Sequence, residues 1–116
     1  MNREDLVEII EEQADEVVQL FKHKNKDYGD DVDAFYNFRE TARRIYDLGD
    51  HEDMLKVLMT YMDKHLVAIT NSLMNTSEYE ERFRDIIVYS LIAIAIKKDE
   101  EAMERLKKQV FGSDVV

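Results

Sequence analysis

Three carboxylates, Glu78, Glu81 and Asp85, recur at spacings of three and four residues. On a helix they fall within about 60° of one another. A row of this kind can hold Mg²⁺, which takes hard oxygen ligands. It can equally be a solvated acidic face, favoured near a helix N-terminus by the backbone dipole. Asp85 stands where the acidic face gives way to the apolar run 86–96, so it is expected to be partly buried. Tyr89 lies one turn further along the same row. Asp63, Lys64 and His65 form a second candidate group. Asp63 and His65 are about 160° apart on a helix and cannot converge on one metal alone. Asp63 could meet Asp85 across a helix pair, while His65 is expected to flank a helix interface and stack on Tyr61. Arg39 and Arg43 share a row with Tyr36. Their guanidinium forks match phosphate oxygens, and they match carboxylates equally well.

These residues need elements to position them, and the hydrophobic pattern is helical almost throughout. A first helix is expected over residues 3–24, capped by Asn2, with Leu6, Ile9, Ile10, Gln13, Val17, Leu20 and Phe21 on its apolar face. Lys22, His23 and Lys24 close it as ordinary helix-end cations. The segment Lys26-Asp27-Tyr28-Gly29-Asp30-Asp31 carries the strongest turn signal. Its glycine is a place where backbone can approach a ligand closely. A second helix is expected from Val32 to the Gly49 stop, with Phe35, Phe38, Ala42, Ile45 and Tyr46 on its stripe. Asp50 caps a third, with Asp53 at the capping-box position. Its stripe is Leu55, Leu58, Met59, Met62, Leu66, Ile69 and Leu73. Ser77 to Glu80 reads as a capping box for a fourth helix that is apolar all round from 86 to 96. Such a helix lies inside a bundle or at a subunit interface. Lys97-Lys98 ends it, and Asp99 caps a short fifth helix. The expected fold is all-α, a bundle of four to five helices in one domain.

Composition narrows the functional classes. The 116 residues contain no cysteine and no proline, and only three glycines. Disulfides, thiolate metal sites and a cysteine nucleophile are excluded. Sixteen basic residues stand against 26 acidic ones, giving a formal charge of −10. A surface this acidic does not suit direct nucleic-acid binding. The apolar run 86–96 is about half of a bilayer span. A cytoplasmic protein is the expectation. No P-loop, GxGxxG, HExxH or local serine-triad signature occurs.

Four segments recur in a familiar order: Lys26-Asp27-Tyr28-Gly29-Asp30, Asn37-Phe38, Tyr61-Met62-Asp63-Lys64-His65-Leu66, and Asp85-Ile86-Ile87-Val88-Tyr89. The pattern, over residues 24–96, resembles small phage and prophage all-α proteins with a "DYG" turn, grouped as nucleotide-modification-associated domains. These look like distant relatives of the MazG-type nucleoside triphosphate pyrophosphohydrolases. The resemblance implies a helical bundle that forms a homo-oligomer, with Mg²⁺ held by acidic residues against a nucleotide's phosphates. Carried across by position, it implies Asp63, Lys64 and Asp85 as the matching residues, with Asp27, Tyr28 and Gly29 as the turn; on the reading built from this and from the residues themselves, Asp85, Glu81 and Asp63 hold the Mg²⁺. Asp85 and Glu81 would serve catalysis by helping to activate water. Arg39, Arg43 and Lys64 would hold phosphate charge, and Tyr28 would stack on a base. The chain departs from that pattern where Arg82 stands three residues before Asp85, and no ExxE precedes it on helices two or three. Two other readings fit the same sequence. One is an acidic binding protein that imitates the phosphates of DNA against a basic partner, such as a nuclease or defence complex. It predicts carboxylates spread over an outer face, above all the N-terminal acids from Glu4 to Glu16, where a hydrolase predicts convergence. The other is a structural helical oligomer, most simply a dimer.

Overall fold

The structure is a computed structural model that describes residues 1–29 and 32–112, without the side chains of Lys26, Asp27 and Tyr28. Asp30, Asp31 and residues 113–116 lie outside it. Every described element is a helix: α1 (Arg3–Tyr28), α2 (Tyr36–Tyr46), α3 (His51–Ser72) and α4 (Tyr79–Phe111). No described helix is long and apolar enough to cross a membrane.

Each helix begins and ends for a local reason. Asn2 accepts from the Asp5 amide at 2.9 Å, and Asp5 closes the capping box from the other side. α1 runs one turn past Lys24, because nothing before Gly29 interrupts it. Asp27 and Tyr28 therefore belong to the helix and not to a turn. A side chain at Gly29 would run into the backbone carbonyl of Ala34, so the loop can close over α1 only if residue 29 is glycine. α2 begins at Tyr36, four residues later than expected. Asp33 delays it by accepting from the Phe35 amide at 3.0 Å and pairing with Arg39 at 2.8 Å.

α2 ends at Tyr46, before the expected stop. Asp47 takes φ +78°, and Leu48 N–H reaches back to the Tyr46 carbonyl at 3.1 Å, a γ-turn. Gly49 follows at φ +65°, buried, where an added Cβ would sit 3.0 Å from the Arg39 carbonyl oxygen. Gly49→Ala is therefore expected to cost about 1–3 kcal/mol from left-handed backbone strain. Urea unfolding of the two proteins checks this; equal midpoints would contradict it.

Asp50 caps α3 through the Asp53 amide at 2.9 Å, as the sequence predicts. The α4 cap differs. Thr76 accepts the Glu78 amide at 3.1 Å, and Glu78 occupies the N-cap with no side-chain cap bond, so Ser77 does not start the helix. Nor does a fifth helix begin at Asp99. Without proline or glycine to break it, α4 runs on through Lys97 and Lys98 for 33 residues. Asp99 turns its carboxylate to His51 at 2.8 Å instead of capping.

α3 and α4 are antiparallel: His51 meets Asp99, Tyr61 meets Tyr89, and His65 meets Asp85. α2 folds back on α3 through the 47–50 turn, with Phe38 against Tyr61 and Tyr46 under the Lys56 ammonium. α1 lies across α4 and α2. The core is small: Val17, Phe38, Ala42, Met54, Val57, Leu58, Val88, Ile92 and Ile96. On α3 the buried face is turned from the expected stripe toward Met54, Val57 and Leu58, leaving Met59, Leu66 and Leu73 exposed. The cause is that α3 must face α2 and α4 at once. On α4 the apolar section is not enclosed by this chain, since Ile87, Leu91 and Ile94 are exposed.

Candidate functional site

Asp85 lies in the second turn of α4, on the face that packs toward α3. Its side chain is 8% exposed. Two basic groups from two other helices face it. Lys24 of α1 places Nζ 2.7 Å from Oδ1, and His65 of α3 places Nε2 3.8 Å from Oδ2. The lysine contact is a short charge-assisted hydrogen bond in a mostly dry place. Lys24 reaches it by laying its methylenes along the helix junction and keeps access to water. Tyr89, one turn on, places its ring 5.7 Å from His65 and 6.2 Å from Tyr61. Tyr61 continues to Phe38 at 5.9 Å, so four rings run from the charged cluster into the core. All three separations lie in the range where tilted rings attract.

The cluster has unused hydrogen-bonding capacity. His65 Nδ1 is buried with no hydrogen-bond partner, and so is Asn25 Oδ1, one residue after Lys24. An unfilled buried polar atom costs about 1–3 kcal/mol. Asn25 lines an apolar cavity of about 260 Å³ between α1, α4 and the segment leading into α2.

The remaining candidates are dispersed. Glu81 is exposed. Asp63 is exposed beside Met59, Met62 and Leu66 in a shallow depression, and it does not meet Asp85; His65 takes that place. His65 finds its aromatic neighbour in Tyr89 of α4. Glu78 is tied to Arg82 at 2.7 Å. Arg43 pairs with Glu40 at 2.7 Å. Arg39 pairs with Asp33, whose carboxyl the Arg39 hydrogen bond holds below its ordinary range; the same bond raises the guanidinium. Both arginines thus act as carboxylate partners within α2 and its approach. Lys64 is exposed. The Tyr28 stacking role and the acids Asp27, Asp30 and Asp31 lie outside the described side chains.

The described residues do not offer Mg²⁺ a ligand set. No group of three or more His, Asp or Glu among them is placed to hold a metal. Asp85 has nitrogen neighbours, a lysine and a histidine, where Mg²⁺ requires oxygens. Lys24, His65 and Asn25 are the residues the sequence reading undervalued. Lys24 falls seven residues after Val17, on the buried row of α1. His65 falls seven after Leu58, near the centre of the true α3 stripe. A cation or an imidazole on a buried row signals a partner charge opposite.

Fold and site together define a small four-helix protein with a Lys–Asp–His cluster around a buried Asp85 where α1, α3 and α4 meet. No family model, curated protein or solved structure matches the chain.

Proposed function

We propose that this chain binds a phosphorylated ligand, a nucleotide in class, at the junction around Asp85. The observation that carries this reading is the Lys24–Asp85–His65 cluster with its unfilled His65 Nδ1. Lys24 keeps 29% of its side chain exposed while Asp85 is covered, so the cluster borders on solvent at the lysine. The "DYG" segment, which carries the likeness to nucleotide-associated phage domains, is the next turn of helix after Lys24. Both features fall at the same end of α1. Tyr61, partly exposed, is the next ring after Tyr89 in the run that starts at His65. The reading is of binding, because the described oxygens do not converge as Mg²⁺-dependent hydrolysis needs.

The test is the melting temperature against a panel of nucleoside mono-, di- and triphosphates, with and without Mg²⁺. A nucleotide at 100 times its dissociation constant should stabilise by about 2.7 kcal/mol. His65→Gln should reduce that shift. A flat panel at millimolar nucleotide would overturn the reading. A Mg²⁺-dependent shift with pyrophosphate release would replace it with hydrolysis.

One observation favours a second reading. The carboxylates of the N-terminal half of α1 are exposed and spread, which is what an acidic mimic of nucleic acid presents. A flat panel together with tight, salt-sensitive binding to a basic protein would support it.

A further inference from the structure

The chain exposes more surface than a closed monomer of its mass. Its accessible area is 8808 Å², against about 6,600 Å² expected for 13.8 kDa. Its radius of gyration is 17.4 Å, against about 13 Å for this length. Two overhangs contribute to the excess. Residues 3–12 of α1 are all exposed, and α1 joins the bundle only where Gln13 and Glu16 meet Arg84. Beyond Asp99, which pairs with His51, residues 100–111 continue α4 for about 18 Å, with Met103, Leu106, Val110 and Phe111 exposed.

Both overhangs carry apolar rows that continue the core. Leu6 and Ile10 lie on the same row as buried Val17, and Met103, Leu106 and Val110 lie on that of Ile92 and Ile96. All five overhanging residues are more than two-fifths exposed. They cannot cover each other within one chain. α1 leaves the bundle beside Arg84, about 24 Å along α4 from residue 100.

The last two turns of α4 are opposite in charge to the α1 overhang. Residues 3–12 hold five acids and one arginine; of residues 100–111, the first five hold Glu100, Glu101 and Glu104, while the last seven hold Arg105, Lys107 and Lys108, with Lys107 also 3.7 Å from Glu104. A helix dipole rewards charge only in the terminal turn, so Glu8, Glu11, Glu12 and Arg105 owe nothing to it.

We infer that the occupant of both overhangs is a second copy of this chain. A two-fold axis across α4 lays the α1 overhang of one protomer along the α4 overhang of its partner, and the reverse. The excess of about 2,200 Å² per chain exceeds the roughly 800 Å² that each partner of a standard interface buries.

Sedimentation of the full chain from 1 to 100 µM tests this, with circular dichroism to confirm that each variant stays helical. The expected particle has twice the 13.8 kDa mass. Glu8→Lys with Glu11→Lys should weaken dimerisation at least tenfold, as should Lys107→Glu with Lys108→Glu. All four together should restore it to within about threefold of the original. A chain that is monomeric at 100 µM would overturn the inference. So would an oligomer indifferent to both reversals, or one that the combined reversal fails to restore.

Discussion

Replacing Lys24 with methionine is expected to lower stability by about 3 kcal/mol. Breaking a buried ion pair by removing one partner typically costs 3–5 kcal/mol, because the other charge stays buried and unpaired. Here that charge is Asp85, 8% exposed and receiving its short hydrogen bond from Lys24. His65 at 3.8 Å is too far to replace that bond, which keeps the loss large. The proximity of its ring keeps the loss at the lower end of the range. Removing both charges should hurt less: Lys24→Met with Asp85→Leu is expected to recover most of the loss, since an apolar pair of similar volume suits a dry junction. Urea unfolding of the two single variants and the double variant gives the coupling directly. A loss below 1 kcal/mol for Lys24→Met would mean that Asp85 is solvated and that the cluster is not the dry junction described.

Phe38→Ala is expected to cost about 3–5 kcal/mol, the usual range for removing a buried phenylalanine. Phe38 is 2% exposed, packs its ring on Tyr61, and forms one wall of the 260 Å³ cavity beside Asn25. Truncation would enlarge a hole that already exists instead of opening an isolated one. The surroundings then have little to collapse onto, which places the loss toward the top of the range. It would also remove the ring at the inner end of the aromatic run, so Tyr61 and Tyr89 should lose fixed orientation. Near-ultraviolet circular dichroism should weaken in step with the unfolding free energy. An unchanged unfolding midpoint would contradict the assignment of Phe38 to the core.

The fold class was legible from periodicity because helices carry it locally: Asn2 and Asp50 cap where their types say they should. What failed was long-range in origin. The end of α2 depends on a γ-turn at Asp47, which nothing in Tyr46-Asp47-Leu48 announces. α4 continues because nothing at Lys97-Lys98-Asp99 breaks it, and the Asp99 carboxylate, read as a cap, faces His51 48 residues away. The face of α3 depends on two neighbours at once, so a single-stripe reading chose Met59 and Leu66 over Val57 and Met54. For the site, burial of Asp85 was visible at the switch from acidic to apolar residues. Its partners were not, because Lys24 is 61 residues away and resembles any helix-end lysine.

The manner in which α1 is held has a consequence for the order of assembly. Helices α2, α3 and α4 are successive antiparallel neighbours, joined by short turns and by rings and core side chains close in sequence. Among its described residues α1 buries only Val17 fully, and it is fastened by Lys24–Asp85 and Gln13–Arg84, bonds that span 61 and 71 residues. Closing loops of that length comes late, since their entropy is lost before the contacts repay it. The three later helices are expected to form first, with α1 docking onto them last. In the native protein the same hierarchy should run in reverse: α1 is expected to be the first element to exchange its amide protons, through openings that leave the α2–α3–α4 unit intact.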